Sequence, residues 1–229
     1  MEHEELDDLN AQSCQQDGAC CTVVMPAQND RTELASTIQS LHRRGWCDGT
    51  GGNFSVVLDA NPIRLLMAPS GVDKGRVTSD QFIEVNTQGN VVAGEGRASA
   101  ETRLHLDIVQ ATGAGAVLHT HSVNATLLSR HHLEQGHLTL EGWEMLKGLD
   151  GITTHQASIQ LPIVANQQNM QLLSQQILPS IAQAPHGFLV AGHGLYSWGA
   201  TLRDANRHVE ILEYLLELHW RQTLLTLYA

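Results

Sequence analysis

The sequence is short of basic residues, of paired cysteines and of long apolar runs. Lysine and arginine total 13 against 24 aspartates and glutamates, a formal net charge of −11. A surplus of that sign repels nucleic acid and anionic membrane surfaces, so neither is expected as a partner. No apolar run approaches the ~18 residues that a membrane-spanning helix needs. The four cysteines, Cys14, Cys20, Cys21 and Cys47, contain no C-x-x-C pair, which excludes a zinc ribbon or a thioredoxin-type centre. Reduced thiols in the cytosol are the expectation. The opening MEHEELDDLN is acidic, unlike a secretory signal or an Arg-rich transit peptide, and it predicts a cytoplasmic location. What remains is an acidic chain of 229 residues, 42% of them hydrophobic, long enough for one domain with a full core. In such a chain an anionic ligand would need local attraction from backbone N–H groups, a lysine or a metal.

The pattern along the chain alternates strands and helices. Residues 1–28, acidic and Gln-rich, predict a disordered tail, and 29–229 a single domain. DRTE at 30–33 reads as an Asp N-cap with Glu three residues on. The helix after it carries Leu34, Ile38 and Leu41 inward and stops at Gly45. NFSVVLD and IRLLMA read as strands around an ANP turn, and FIEVNTQGNVVAG as a hairpin. A helix is predicted from about Ala100 to Thr112, then a buried strand in GAGAVLHTH. Helical stretches are expected at 123–130 and 140–148, strands at GITTH and IQLPIVA, and a helix over 167–184 interrupted by Pro179. GFLVAGHG and LYSWG read as a strand and its return, before a long amphipathic helix over roughly 201–225. Hairpins mixed with crossover helices predict an α/β fold, a three-layer α/β/α sandwich with a mixed central sheet.

The chain holds thirteen histidines, and two of them end the apolar strand AVLHTHS. Side chains two apart on a strand project to the same face, so His119 and His121 point together where the strand opens into a cleft. Two neutral imidazoles form a seat for a divalent ion, or else are satisfied by backbone and water. A catalytic metal site wants a third ligand. His193 in LVAGHGLYSWG again ends an apolar strand between glycines; His155 and His186 are its rivals. An all-imidazole set leaves the ion at +2 and favours Lewis-acid chemistry.

Three Gly/Ser-bearing turns could converge on an anion. GTGGNFS (49–55) offers a nest of backbone amides or a plain turn. APSGVDKG (68–75) brings Ser70, Gly71 and Lys74, and RASAE (97–101) puts Ser99 at a helix N-terminus. Two carboxylates stand out. Glu101 in the first turn of its helix reads as a helix-dipole residue. Glu144 in LEGWEMLKGL reads as a carboxylate in apolar surroundings that shuttles protons, or as an exposed residue paired with Lys147. Glu141 could face inward in its place.

GTGGNFS, APSG, SAE, HTHS and GHG, in that order over about Asp30 to Leu225, resemble the class II aldolase/adducin family. The resemblance implies Zn²⁺, or a similar divalent ion, one per subunit, on His119, His121 and His193. It implies that a phosphorylated ketose is held by its phosphate at Thr50, Gly52, Asn53, Ser70, Gly71 and Ser99. Position 100 is Ala where family aldolases often carry a second Ser. APSGVDKG, SAETRLH and LEGWEMLKGL are most similar to members that dehydrate such a ketose with a glutamate of the E-M-x-K-G segment, which falls on Glu144. Glu101 matches the acid/base, or extra ligand, of the sugar-phosphate aldolases. Aldol cleavage or 4-epimerisation is the alternative chemistry, and a non-catalytic adducin-like domain the alternative class. Family members are usually homotetramers with sites at subunit interfaces.

Overall fold

The computed structural model of the protein describes residues 27–227. The tail expected over 1–28 lies outside the described residues except for its last two, which open the first helix. That helix, α1 (Ala27–Arg43), starts three residues before Asp30. Asp30 is therefore a first-turn carboxylate facing the helix dipole, not the cap. The chain leaves α1 through Gly45, whose φ of +73° suits glycine.

Among the described residues nine strands form one sheet. They are β1 (Asn53–Ala60), β2 (Ile63–Met67), β3 (Ile83–Val85), β4 (Val91–Ala93), β5 (Ala116–Thr120), β6 (His137–Glu141), β7 (Ser158–Val164), β8 (Gly187–Val190) and β9 (Gly194–Gly199). The spatial order is β4-β3-β2-β1-β5-β9-β8-β7-β6. Only β7 and β8 run parallel, across the crossover helix α4 (Met170–Ile181); the other pairs are antiparallel. The sheet is thus mixed, as expected.

Strand alternation assigns the two faces. Leu65, Met67, Val117 and Tyr196 meet Leu104 and Ile108 of α2 (Thr102–Thr112) and Leu173 and Ile177 of α4. Phe54, Val56, Leu66, Ala116 and Leu118 meet Leu34, Ile38 and Leu41 of α1 and Val209 of α5 (Leu202–Leu227). Farther along, α5 and α3 (Val123–His131) cover β6 to β9 with Leu128, Leu212 and Leu216. These are the three layers. Each such side chain contributes about 1.5–3 kcal/mol by leaving water.

Three local expectations need correction. The helix expected over 140–148 is the end of β6 followed by a 3₁₀ turn, Glu144–Gly148. Leu138 and Leu140 point inward with period two, and Gly142 at φ +76° turns the chain. GITTH is not a strand: it leaves Gly151 at φ +81° and pairs with no neighbour. Pro179 does not interrupt α4. It and Gln175, to whose carbonyl it can offer no N–H, both face solvent.

Candidate metal centre

The register of the three central strands builds the site. Asn53 of β1 lies opposite His119 of β5, and His119 lies opposite Tyr196 of β9. The three side chains form a row on the α2 face of the sheet, at the strand ends. His121 follows just past β5, with its backbone N–H on the Trp46 carbonyl at 2.6 Å. His193 sits in the tight β8–β9 connection, its N–H bonded to Val190 O at 3.0 Å. Glu101 immediately precedes α2 and caps the row from above.

His119, His121 and His193 converge. Nε2 of His121 is 2.8 Å from Nε2 of His119, which is 3.3 Å from Nε2 of His193. The rings cross at steep angles, 56° to 84°, rather than stacking on each other. His119 Nδ1 donates to the Leu195 carbonyl at 2.9 Å, which leaves its Nε2 lone pair for the cluster. Burial pushes His121 down to about 4 and His119 well below the usual histidine range, with the neighbouring imidazoles adding to the effect. Both rings are neutral at pH 7. The lone pair of His119 Nε2 faces the Nε2 atoms of both other rings. Around Zn²⁺ at ~2.0–2.1 Å, tetrahedral donors sit about 3.4 Å apart, so the residues present fit a divalent ion. His193 Nδ1 is also buried without a hydrogen-bond partner among the described residues.

Glu101 closes the site. Its Oε1 is 3.4 Å from His193 Nε2 and its Oε2 3.6 Å from His119 Nε2. Oε2 accepts hydrogen bonds from Asn53 Nδ2 at 2.5 Å and from the Tyr196 hydroxyl at 2.6 Å. The Tyr196 ring stacks on His119, with centroids 3.9 Å apart. Burial, then the adjacent Glu101 carboxylate, push the Tyr196 phenol well above its usual range, so it stays a donor.

A polar cavity of about 200 Å³ adjoins the histidines and reaches Glu101 and His121. Every residue expected at the phosphate lines it: Thr50, Gly52, Asn53, Ser70, Gly71, Lys74 and Ser99. Lys74 is only 2% exposed. Its ammonium has two long carbonyl partners, Thr50 O and Val72 O, each at 3.3 Å. Burial lowers its pKa, and an anion in the cavity would restore the charged form. Glycine is required where the loop grazes the histidines. A Cβ on Gly51 would sit 2.8 Å from His121 Nδ1, and one on Gly52 (φ +76°) 2.7 Å from the His119 carbonyl. A larger groove of about 690 Å³, between the β1–β2 turn and the C-terminus of α2, is apolar and holds none of the candidate residues.

The Class II Aldolase and Adducin N-terminal domain model matches residues 32–220. The chain belongs to the class II aldolase/adducin family. It is 42% identical to methylthioribulose-1-phosphate dehydratase of Pectobacterium atrosepticum, over 88% of this chain and 98% of that protein. The dehydratase of Serratia proteamaculans is 44% identical, over 84% and 94%. Among solved structures, YgbL from Klebsiella pneumoniae superposes with a TM-score of 0.74 at 25% identity, covering 86% of this chain and 91% of that one. An L-fuculose 1-phosphate aldolase from Thermus thermophilus shares the fold, with a TM-score of 0.68 at 22% identity over 87% and 96%.

In this family member the other candidates lie elsewhere. Glu144 stands on the 3₁₀ turn with its side chain 69% exposed, 2.6 Å from Lys147 and 3.8 Å from His155. It does not line the cavity. Glu141 is exposed and accepts from Ser158 at 2.9 Å. The rivals for the third ligand are also apart: His155 is exposed, and His186 joins Asp150 and His208 in a second cluster. That cluster lacks the convergence of the first. Its imidazoles stack at 25°, and Arg207 occupies Asp150 Oδ1 at 2.6 Å. Sequence reasoning missed Tyr196, His105 and Glu213. His105 lies one helical turn after Glu101, a spacing that places both on one side of α2. Tyr196 is fixed by its pairing with His119, which no local pattern encodes.

Proposed function

We propose that the protein dehydrates 5-methylthioribulose 1-phosphate to the 2,3-diketo-5-methylthiopentyl 1-phosphate, a step of methionine salvage, as a cytoplasmic homotetramer holding one Zn²⁺ per subunit. The observation that carries the reading is the contact between three convergent imidazoles, one carboxylate and an anion cavity holding a buried lysine. The substrate is taken from the dehydratases that the chain resembles over nearly their full length. A divalent ion held by His119, His121 and His193 would supply Lewis-acid polarisation of the C2 carbonyl, which would acidify the C3 proton.

The chain's own residues do the rest. Lys74, Ser70, Ser99 and the backbone amides of 50–53 hold the phosphate and set the ketose in register. Glu101 is the carboxylate within reach of that centre. Its Oε1 takes the C3 proton, and the C4 hydroxyl then departs as water. Glu144, outside the cavity of its own chain, serves a neighbouring copy's site, where it relays a solvent proton to that departing hydroxyl. Tautomerisation of the enol gives the diketone. Acid–base help of this kind is worth about 10²–10⁴-fold.

The test is turnover of methylthioribulose 1-phosphate with and without a chelator, with product identification. A diketone phosphate formed only with metal supports the reading. Dihydroxyacetone phosphate or glycolaldehyde-type fragments would instead show aldol cleavage, and a protein purified without stoichiometric metal and lacking turnover would point to a binding domain.

A further inference from the structure

Behind Glu101 runs a chain of hydrogen bonds that the reaction above does not use. Ser55, two residues after Asn53 on the same face of β1, has its Oγ 2.7 Å from His105 Nδ1. His105 Nε2 is 2.5 Å from Asn53 Oδ1, and Asn53 Nδ2 is 2.5 Å from Glu101 Oε2. Ser55 and His105 are both fully buried. Burial holds His105 down to about 4, so the ring carries one hydrogen, on either nitrogen.

The direction of every link follows from Glu101. An ionised carboxylate only accepts, so Asn53 must turn its NH₂ towards it and its carbonyl towards His105. His105 must then carry its hydrogen on Nε2 and accept on Nδ1, which obliges the Ser55 hydroxyl to donate. Reversing one link reverses all of them and sets the Asn53 carbonyl against the carboxylate. Together with the Tyr196 hydroxyl at 2.6 Å, the chain fills Oε2 with donors. Oε1 is left as the oxygen that faces His193 and the cavity.

We propose that His105 is a positioning residue: in its Nε2–H tautomer it donates to the Asn53 carbonyl and so holds the Asn53 amide with its NH₂ on Glu101, which is gripped through Oε2 and exchanges protons through Oε1. This rests on the assignment of Glu101 given above. It also gives Asn53 a role beyond the phosphate expected of it, because one of its N–H groups is committed to Glu101.

The test has a spectroscopic arm and a kinetic arm. In wild-type protein with ¹⁵N-labelled histidine, His105 should show a protonated Nε2 and an unprotonated Nδ1, assigned by the loss of its signals in His105→Phe. Ser55→Ala should keep that tautomer, because Asn53 and Glu101 still fix it. His105→Phe should lower kcat about ten- to a hundred-fold, the usual effect of losing such a supporting partner, with KM and bound metal little changed. His105→Gln, which can still donate to Asn53, should recover part of the loss. An Nδ1–H tautomer in the wild type, or unchanged kcat in His105→Phe, overturns the proposal. The assignment of Glu101 fails differently: Glu101→Gln would turn over normally while the Nε2–H signal persisted.

Discussion

Glu213 provides the sharpest quantitative test of the site's surroundings. It lies on α5, 2% exposed, and its carboxylate accepts from Thr120 Oγ1 at 2.7 Å and Ser122 Oγ at 2.5 Å. These two hydroxyls bracket His121, and Ser122 also caps α3 by accepting from the Ala125 N–H at 3.0 Å. Burial raises the Glu213 pKa from 4.5 to about 7, and the two hydroxyls only partly oppose this. The folded pKa lies above the unfolded one, so the folded state binds this proton more tightly. Below pH 4.5 the group is neutral in both states and costs nothing. Between about pH 4.5 and 7 the unfolded chain ionises while the folded one keeps its proton, so stability falls by about 3 kcal/mol over that window, the value of the pKa gap at 1.36 kcal/mol per unit, and levels off above it.

Glu213→Gln removes the titration while keeping the shape. Its own hydrogen-bond mismatch is the same at every pH, so the informative quantity is a difference of differences. Urea unfolding of the metal-free protein and the variant, at one protein concentration, should show the variant gaining about 2.5 kcal/mol on wild type between pH 5 and pH 8.5. Histidine titrations are common to both proteins and cancel. A variant-to-wild-type gap that stays constant across that range would refute the reasoning, since it would mean that Glu213 titrates alike in folded and unfolded chains.

Further outcomes follow from the site. His119→Ala should lose bound metal and turnover together, measured by elemental analysis and rate, because it removes the ligand whose Nε2 faces both of the others. Lys74→Met should lower kcat/KM roughly ten- to a hundred-fold, the equivalent of a charged hydrogen bond of about 1.5–3 kcal/mol, with metal content unchanged. Glu101→Gln and Glu144→Gln should each be nearly inactive, yet mixed after subunit exchange they should recover activity; failure to complement would place both carboxylates in one chain's site or remove Glu144 from the reaction. Gly52→Ala should cost about 1–3 kcal/mol in unfolding experiments, since its left-handed backbone comes with a Cβ 2.7 Å from the His119 carbonyl.

What could be read from the sequence, and what could not, divides along a physical line. His119 and His121 are legible because strand alternation is a local rule: two residues apart means one face. The Gly/Ser turns are legible as turns because Gly49, Gly52 and Gly71 adopt the left-handed backbone that glycine favours, and all seven positions expected at an anion line one cavity. The 3₁₀ turn at Glu144 was misread because a short apolar run with charges spaced three apart fits a helix as well as a strand end, and only Gly142 separates them. Tyr196 and the polarity of the Ser55–His105–Asn53 chain were beyond local reading, because they arise from register. β1 is hydrogen-bonded to β5 and β5 to β9 across 66 and 76 residues of sequence, the separations of the Asn53–His119 pair and of the Leu195 carbonyl from His119 Nδ1. A slip of one residue in either pairing would move Asn53 or Tyr196 to the opposite face of the sheet, among the side chains of α1 and α5. The apolar residues that alternate with them, Phe54 on β1 and Leu195 on β9, are fully buried on that face, and they hold the register. The hydrophobic pattern therefore sets not only the core but also which polar atoms meet at Glu101.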